Sequence, residues 1–167
     1  MRSLPLLLLS ACLLGEPALA EPAPVCRVTA EEALAAANAW RQAARRCGSQ
    51  AFEAAPPLRW SPALQASAER FAAELAERGE LSHQGRSSPT LRERVRESGY
   101  LLRAVGENLA AGPLGLEEVF ALWTGSPDHC VNLMRADFED VGVACVSGTG
   151  RYERFWVMHL GAPARRP

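Results

Sequence analysis

The sequence predicts an α+β fold. Helical patterns fill the chain up to Gly125, and two runs rich in Val, Phe and Trp follow near the carboxyl terminus, separated by a Ser-Gly-Thr-Gly-Arg sequence. Strands of that composition on either side of a short polar turn are typical of an antiparallel hairpin. Helices first and strands last indicate an α+β domain.

The first predicted helix follows a lead-in at residues 21–30. Thr29 and Glu32 have the spacing of a capping box, and the Ala-rich run after them continues to about Arg46. Gly48 follows directly after this run and ends the helix. The two adjacent prolines further on predict a loop or an extended connection.

A second helix is predicted between Ser61 and Gly79. Ser61 is a good N-cap, Pro62 suits the first helical position, and Gly79 suits the end of the helix. One face of this helix is apolar and predicts a contact with the core. That face carries Leu64, Ala68, Phe71, Ala72 and Leu75.

Shorter elements complete the chain. A short helix from about 90 to 97 carries Arg and Glu side chains that predict a solvated face. Residues 105–110 are hydrophobic around two polar side chains, and the helix after them has apolar residues at i, i+3, i+4 and i+7. The hairpin strands are predicted over 138–146 and 152–160, and residues 162–167 are predicted to be a frayed tail.

Length, composition and charge predict one domain and argue against a nucleic-acid partner. The chain has 167 residues, of which 48% are hydrophobic, and this supplies one core but not two. The formal net charge is −1, and the Arg residues are scattered, so no basic stripe is available for a phosphate backbone. The sequence leaves the oligomeric state open.

Residues 1–20 have the pattern of an export signal. A charged start precedes an apolar stretch that ends at the small residues Ala18 and Ala20, and the stretch is too short for a transmembrane helix. Cleavage after Ala20 predicts a secreted or periplasmic protein. The sequence around Cys12 also fits a bacterial lipoprotein box, so a lipid anchor at Cys12 is the alternative.

Four cysteines remain after the predicted cleavage, at positions 26, 47, 130 and 145. An even number in an exported chain without a CxxC pair favours disulfides over metal thiolates. Cys130 precedes the first late strand and Cys145 lies near that strand's end. The strand therefore predicts a Cys130–Cys145 bond.

Three titratable residues lie beside glycines or helix ends: His83, Glu107 and His129. Loops at one end of a domain could bring them together. The zinc-protease HExxH motif, the phosphate-binding loop and the GxSxG elbow do not occur in the sequence. The candidate chemistry therefore depends on these three side chains.

The local sequences around these residues resemble the CAP superfamily, the relatives of cysteine-rich secretory proteins, antigen 5 and pathogenesis-related 1, in its bacterial secreted form. The resemblance covers residues 31–161 and rests on five motifs in order: Leu-Ser-His83, the Gly-Glu107-Asn-Leu run, Trp123 to His129, Val141 to Cys145, and Phe155-Trp156-Val157.

The resemblance implies a three-layer α–β–α sandwich with a central antiparallel sheet, and an open cavity lined by two histidines and acids. His83, Glu107 and His129 match three cavity positions, and Asn108 lies beside them. Many relatives have a second acid where this chain has Ser126. Asp128 is the candidate substitute, and this departure weakens a general-base mechanism more than a metal site.

A weak, exchangeable Zn²⁺ is the expected cofactor, with His83 and His129 as ligands. Two neutral imidazoles and one carboxylate can bind Zn²⁺ and leave a position for water or substrate. Without a metal, the same trio could act as an acid–base pair, because a nearby carboxylate raises a histidine's pKa.

Each residue also has a structural interpretation. Glu107 and Asn108 would satisfy buried backbone groups. Ser126 has the sequence context of an N-cap before Pro127. His159, in the last strand, is interpreted as a packing or rim histidine.

The remaining cysteines, Cys26 and Cys47, flank a helix of about 25 Å and can bond only if the lead-in doubles back along it. The bacterial relatives carry a cysteine pair in this region, which implies Cys26–Cys47. A free thiol or an intermolecular bond is the alternative.

Two functions follow from the resemblance. The first is a non-enzymatic extracytoplasmic binding domain for a small apolar or lipid-like ligand. The second is a metal-dependent or His/Glu-dependent hydrolase of peptide or cell-envelope substrates, although the fold alone does not imply activity. The first is favoured because Ser126 replaces the second acid and no activated nucleophile is visible.

Overall fold

The computed structural model describes residues 26–164. Its helices are α1 (Ala30–Arg41), α2 (Pro62–Arg78), α3 (Leu91–Glu97), α4 (Leu116–Gly125) and α5 (Pro127–Met134). Its strands are β1 (Arg45–Cys47), β2 (Gln50–Phe52), β3 (Arg59–Trp60), β4 (Leu102–Ala111), β5 (Asp140–Ser147) and β6 (Arg154–Pro163). The predicted α+β class is confirmed.

The predicted caps of α1 and α2 are confirmed, but the predicted end of α1 is not. The Thr29 and Glu32 side chains form the predicted capping box of α1, and Ser61 caps α2. Helix α1 ends at Arg41 rather than near Arg46. Residues 45–47 instead pair with β2 across Gly48, whose φ of 60° allows the tight turn.

Ser126 stands at the N-cap position of α5, but its side chain makes no capping hydrogen bond. Ser126 therefore occupies the predicted N-cap position but does not make the predicted capping bond. Pro127 occupies the first helical turn, where its missing N–H costs nothing.

The main sheet has the strand order β3-β5-β6-β4. The hairpin of β5 and β6 is confirmed, and β4 pairs antiparallel with the other edge of β6. Short β3 runs parallel to β5, so the sheet is mixed, in contrast to the antiparallel sheet that the resemblance implies. The chain between β3 and β5 contains α2, α3, β4, α4 and α5, which supplies the long crossover that a parallel pair requires.

Helices cover both faces of this sheet. On one face, α1, α4 and α5 contribute Ala33, Phe120, Trp123 and Leu133 to a core shared with alternate strand residues such as Trp156 and Met158. On the other face, α2 packs Phe71 and Leu75 against Phe155 and Val157. Gly142 of β5 allows the close approach of α2, because a Cβ there would meet the backbone of Leu64 and Gln65.

Both predicted disulfide pairings are wrong. The structure joins Cys26 to Cys145 and Cys47 to Cys130, with Cα atoms 5.5 and 5.4 Å apart. Cys130 lies within helix α5 and packs with Cys47 and Met134 in a separate cluster, away from the end of β5. The segment before α1 runs beside β5, where the Cys26 N–H donates to Ser147 Oγ, instead of doubling back along the helix.

The carboxyl-terminal strand is longer than predicted. Strand β6 continues to Pro163, Ala162 is fully buried, and the Ala164 N–H donates to the Leu101 carbonyl. The predicted tail at 162–167 therefore begins inside the sheet. The predicted signal at 1–20 and the lipid anchor at Cys12 lie outside the described residues.

Candidate functional site

The candidate site is built on Glu107, in the edge strand β4. Its side chain is buried, and both carboxylate oxygens are engaged. The Glu107 Oε1 atom lies 2.7 Å from His83 Nδ1, while Oε2 lies 2.7 Å from Arg94 Nη2 and 2.9 Å from His159 Nε2. The buried carboxylate thus accepts hydrogen bonds from three different parts of the chain.

His83 is the accessible member of this cluster. It lies in the loop after α2, and its side chain is 64% exposed. The Arg94 Nη2 group also donates to the His83 carbonyl, at 3.2 Å, and so holds the loop against α3. Of the side chains that contact Glu107, His83 is the one that solvent reaches freely.

The sequence patterns did not indicate that Arg94 belongs to this cluster, and the rim position considered for His159 is wrong. Arg94 is only 5% exposed, although α3 was predicted to present a solvated face. His159 is fully buried beside Phe71, so it is a packing histidine but not a rim one, and it also bonds to Glu107.

A signal for Arg94 does exist in the sequence. Leu91, Arg94 and Val95 share one face of a helix that Thr90 caps, so Arg94 projects with two apolar neighbours. His159 lies directly opposite Glu107 in the β4–β6 register. That register depends on pairing between distant segments, and the sequence did not indicate it.

His129 comes from the other side of β4, on the first turns of α5. Asn108 is fully buried and donates to the His129 carbonyl at 3.0 Å, and its Oδ1 accepts from Asn132 at 2.9 Å. Arg41 donates to the carbonyls of Leu133 and Arg135 at the other end of the helix. The helix that carries His129 is thus anchored at both ends.

The interpretation of Asn108 as a partner for buried backbone groups is confirmed, and Asn108 faces α5 rather than the Glu107 carboxylate. Ser126 is half-buried and Asp128 is exposed, both at the start of α5. The charge of Asp128 opposes, but does not reverse, the lowering of the His129 pKa that burial and the charge of His83 cause.

The pKa of Glu107 depends on opposing effects. Burial alone would raise it, but the hydrogen bonds from His159 and His83, together with the charge of Arg94, lower the pKa of Glu107 to about 2. Burial lowers the pKa of His159 and outweighs its bond to Glu107. His159 Nδ1 has no hydrogen-bond partner within residues 26–164, which fits a neutral ring that donates through Nε2.

The pKa values of the two accessible histidines are shifted in opposite directions. The hydrogen bond to Glu107 raises the pKa of His83 above its usual 6.5. Burial lowers the pKa of His129, and the charge of His83 lowers it further. His83 is therefore the more easily protonated imidazole of the two and His129 the less easily protonated one.

The donor set fits a metal ion only loosely. Both Glu107 oxygens are engaged, and residues 26–164 contain no group of three His, Cys, Asp or Glu side chains arranged to hold a metal. His83 Nε2 and the His129 ring remain as donors. Two imidazoles alone are fewer than the three protein ligands of a typical catalytic zinc site.

A separate apolar groove lies between α1 and α4, on the opposite face of the sheet from α2. It has a volume of about 420 Å³, within the range of ligand pockets. Its walls are mostly apolar and comprise Ala36, Ala39, Trp40, Leu116, Glu117, Phe120, Ala121 and Thr124.

None of the five helices in residues 26–164 combines the length and the apolar composition needed to cross a membrane.

Solved structures with this architecture come from several bacteria. An extracellular protein with an SCP domain from Bacillus anthracis is 23% identical with a TM-score of 0.57, over 64% of this chain and 34% of that one. An outer surface protein of Borrelia burgdorferi is 22% identical with a TM-score of 0.58, over 66% of this chain and 80% of that one. A cysteine-rich secretory protein of Staphylococcus aureus is 14% identical with a TM-score of 0.51, over 65% and 32%.

This chain thus spans about a third of the length of the Bacillus and Staphylococcus proteins. At these identities the likeness shows the fold alone. No curated protein matches the sequence. A family model described as the cysteine-rich secretory protein family matches residues 34–160, which include the whole His83, Glu107 and His129 region. The chain therefore belongs to the cysteine-rich secretory protein, or CAP, family.

Proposed function

We propose that this protein is a non-enzymatic extracytoplasmic binding domain that takes a small apolar or lipid-like ligand into the groove between α1 and α4. The main observation in support is the groove itself, which is apolar, open and large enough for such a molecule. The predicted export signal and the extracellular or outer-surface names of two solved relatives support the location.

The groove walls supply the recognition. Trp40 and Leu116 are half-buried and Phe120 is buried, while Ala39 and Ala121 leave open space between the helices. Contact with an alkyl chain or a fused ring would remove apolar surface from water, at about 25 cal/mol per Å². Glu117 and Thr124 lie among the lining residues and offer polar partners for a headgroup.

The experiment titrates a fluorescent fatty acid and a fluorescent sterol into the oxidised mature protein and follows the emission of the added probe. Ala121→Trp fills the groove and should weaken binding about tenfold or more. Leu122→Trp is the matched control, because Leu122 is 56% exposed on the same helix and does not line the groove. Equal affinity in the two variants, or no binding by the wild type, would overturn the proposal.

We also propose that His83 and His129 bind Zn²⁺ weakly and exchangeably. The support is that both rings are accessible and that each lies within electrostatic range of the other. A Zn²⁺ titration by calorimetry should show weaker binding in His83→Ala and in His129→Ala. Unchanged Zn²⁺ affinity in both variants would show that His83 and His129 do not form a metal site.

A hydrolase acting on peptide or cell-envelope substrates is the second candidate function. The observation that favours it is the His83–Glu107 hydrogen bond, which resembles the carboxylate–histidine pair of acid–base catalysts. Against it, the three donors on Glu107 leave that carboxylate poorly suited to take a proton. A broad panel of peptides and esters, tested with and without Zn²⁺ against wild type and His83→Gln, would show a His83-dependent rate if the candidate is correct.

A further inference from the structure

The two disulfides differ in how deeply they are buried. Cys47 and Cys130 are 3% and 1% exposed and pack with Met134. Cys26 and Cys145 are only half-buried, and both line a cavity of about 290 Å³ between β5, α2 and the segment before α1. A dissolved reductant can therefore approach the Cys26–Cys145 bond in the folded protein. The other bond becomes accessible only when the structure around it opens.

The Cys26–Cys145 bond is the main attachment of residues 26–29, which we call the strap, to the sheet. The Cys26 N–H donates to Ser147 Oγ at 3.4 Å, and the partly buried Val28 packs against the core. No backbone hydrogen bond joins the strap to β5 within the described part of the chain. Without the covalent bond, one long hydrogen bond and one apolar contact would remain.

Strand β5 has an open edge where the strap lies. Its neighbour β3 has only two residues, which pair with Asp140 and Val141. Beyond Val141, no strand within residues 26–164 pairs with this edge of β5. Val143 is nevertheless only 1% exposed, and it lines the same cavity as the strap. The strap, together with α2, therefore covers an edge that could otherwise pair with another chain.

The direction of the backbone groups along this edge follows from one hydrogen bond. The Ser61 N–H donates to the Val141 carbonyl, so Val141 faces β3. Backbone groups alternate in direction along a strand. Those of Val143 and Cys145 therefore point to the open edge as well, whereas those of Ala144 face β6. The strap and α2 shield the two outward N–H groups in place of a neighbouring strand.

We propose that the Cys26–Cys145 bond is a redox-sensitive switch. A dithiol reductant opens it while Cys47–Cys130 stays intact, and the freed strap uncovers the edge of β5. One thiolate of the reductant attacks a sulfur of the bond, and the other cysteine leaves as a thiolate. The second thiol of the reductant then displaces the bound cysteine, so two electrons pass to the protein, which gains two thiols, and the reductant becomes a disulfide.

Graded reduction tests the selectivity. The oxidised mature protein is treated with dithiothreitol, quenched with iodoacetamide and mapped by mass spectrometry. Cys26 and Cys145 should be labelled at least about tenfold faster than Cys47 and Cys130. The difference should disappear in concentrated urea, because burial then no longer protects the inner bond. Equal labelling rates in the folded protein would overturn the proposal, and a difference that persists in urea would contradict burial as its cause.

Amide hydrogen exchange, followed by NMR, tests the release of the strap. After selective reduction, the Val143 amide should exchange at least about tenfold faster, while the Ala144 amide, which faces β6, should not change. Cys26→Ser with Cys145→Ser should reproduce this effect without a reductant.

The matched control is Cys47→Ser with Cys130→Ser, which removes the other bond and should leave exchange at Val143 unchanged. Unchanged exchange at Val143 in the selectively reduced wild type would show that the strap stays in place and would overturn the proposal. Equal acceleration in the two double variants would mean that the effect reflects general destabilisation, which would also overturn it.

Discussion

At the scale of single residues, the buried Glu107 carboxylate determines the properties of its neighbours. Its hydrogen bonds to His83, Arg94 and His159 satisfy a charge that burial alone would make costly. The same bonds make Glu107 a weak base, because its proton-binding oxygens are already occupied by donors. The group best placed to exchange a proton with solvent is therefore His83.

Replacing Glu107 with Gln should lower the pKa of His83 toward its usual 6.5. The reason is that the Glu107 hydrogen bond is the largest cause of the upward shift in the pKa of His83. An NMR titration of the His83 ring measures this directly. Asp128→Asn is the control, because it should lower the pKa of His129 and leave that of His83 unchanged. An unaltered His83 titration in Glu107→Gln would contradict the assigned cause.

Replacing Arg94 with Met should destabilise the protein by about 3 kcal/mol, because it leaves a buried carboxylate without its cationic partner. Urea unfolding provides the measurement. Arg96→Met is the matched control on the same helix; Arg96 is exposed, so a change within about 0.5 kcal/mol is expected. Equal losses in the two variants would show that the Arg94–Glu107 contact is energetically unimportant.

At the scale of elements, α5 connects the histidine site to the rest of the molecule. It follows α4 without a loop, and Cys130 in its first turns bonds to Cys47 of β1. Asn108 and Asn132 tie it to β4, and Arg41 binds its last carbonyls. His129 is positioned by all these contacts, whereas His83 depends on the loop after α2.

The disulfide pattern gives a prediction at this scale. Non-reducing peptide mapping should recover Cys26 linked to Cys145 and Cys47 linked to Cys130. Removing the second bond by Cys47→Ser with Cys130→Ser should cost about 2–4 kcal/mol and alter the NMR titration of His129. Removing the first bond by Cys26→Ser with Cys145→Ser should cost stability without changing that titration. Recovery of a Cys130–Cys145 peptide would contradict the structure.

At the scale of the whole molecule, the sheet separates two kinds of surface. The apolar groove between α1 and α4 lies on one face, and a polar cavity between α2 and α3 lies on the other. The His83, Glu107 and His129 site lies around the edge strand β4, where loops and helices from both faces meet. Three chemically distinct regions thus share one small domain.

Stability should fall as the solution is acidified, in two stages. His129 and His159 have folded-state pKa values below the usual 6.5, so the unfolded chain binds more protons as pH falls below that value. Glu107 has its pKa lowered to about 2 from 4.5, so its contribution, up to about 3 kcal/mol, is present above pH 4.5 and is lost between those values.

His83 has the opposite effect on the pH dependence of stability. Its pKa is raised, so the stability that it contributes is present below pH 6.5 and is lost as pH rises through its folded-state pKa. Urea unfolding from pH 3 to 8 measures the sum of these effects. Glu107→Gln should flatten the acid limb below pH 4.5, and an unchanged slope there would rule out Glu107 as its source.

The sequence by itself determined most local features. The capping box at Thr29, the Ser61–Gly79 helix and the final hairpin are confirmed, because caps, prolines, glycines and alternation act over a few residues. The motifs around His83, Glu107 and His129 identified the family, which the family model confirms. Each of these patterns depends on residues that lie close together in the sequence.

Only the tertiary structure determined which residues from distant parts of the chain contact one another. The disulfide pairing, the parallel β3, the burial of Arg94 and the contact of His159 with Glu107 all join segments far apart in sequence. Such contacts depend on strand register and on how helices cross the sheet, which are set by packing of the complete core rather than by local patterns. The sequence therefore identified His83, Glu107 and His129 as candidates, and the fold added Arg94 and His159 and determined which side chains touch.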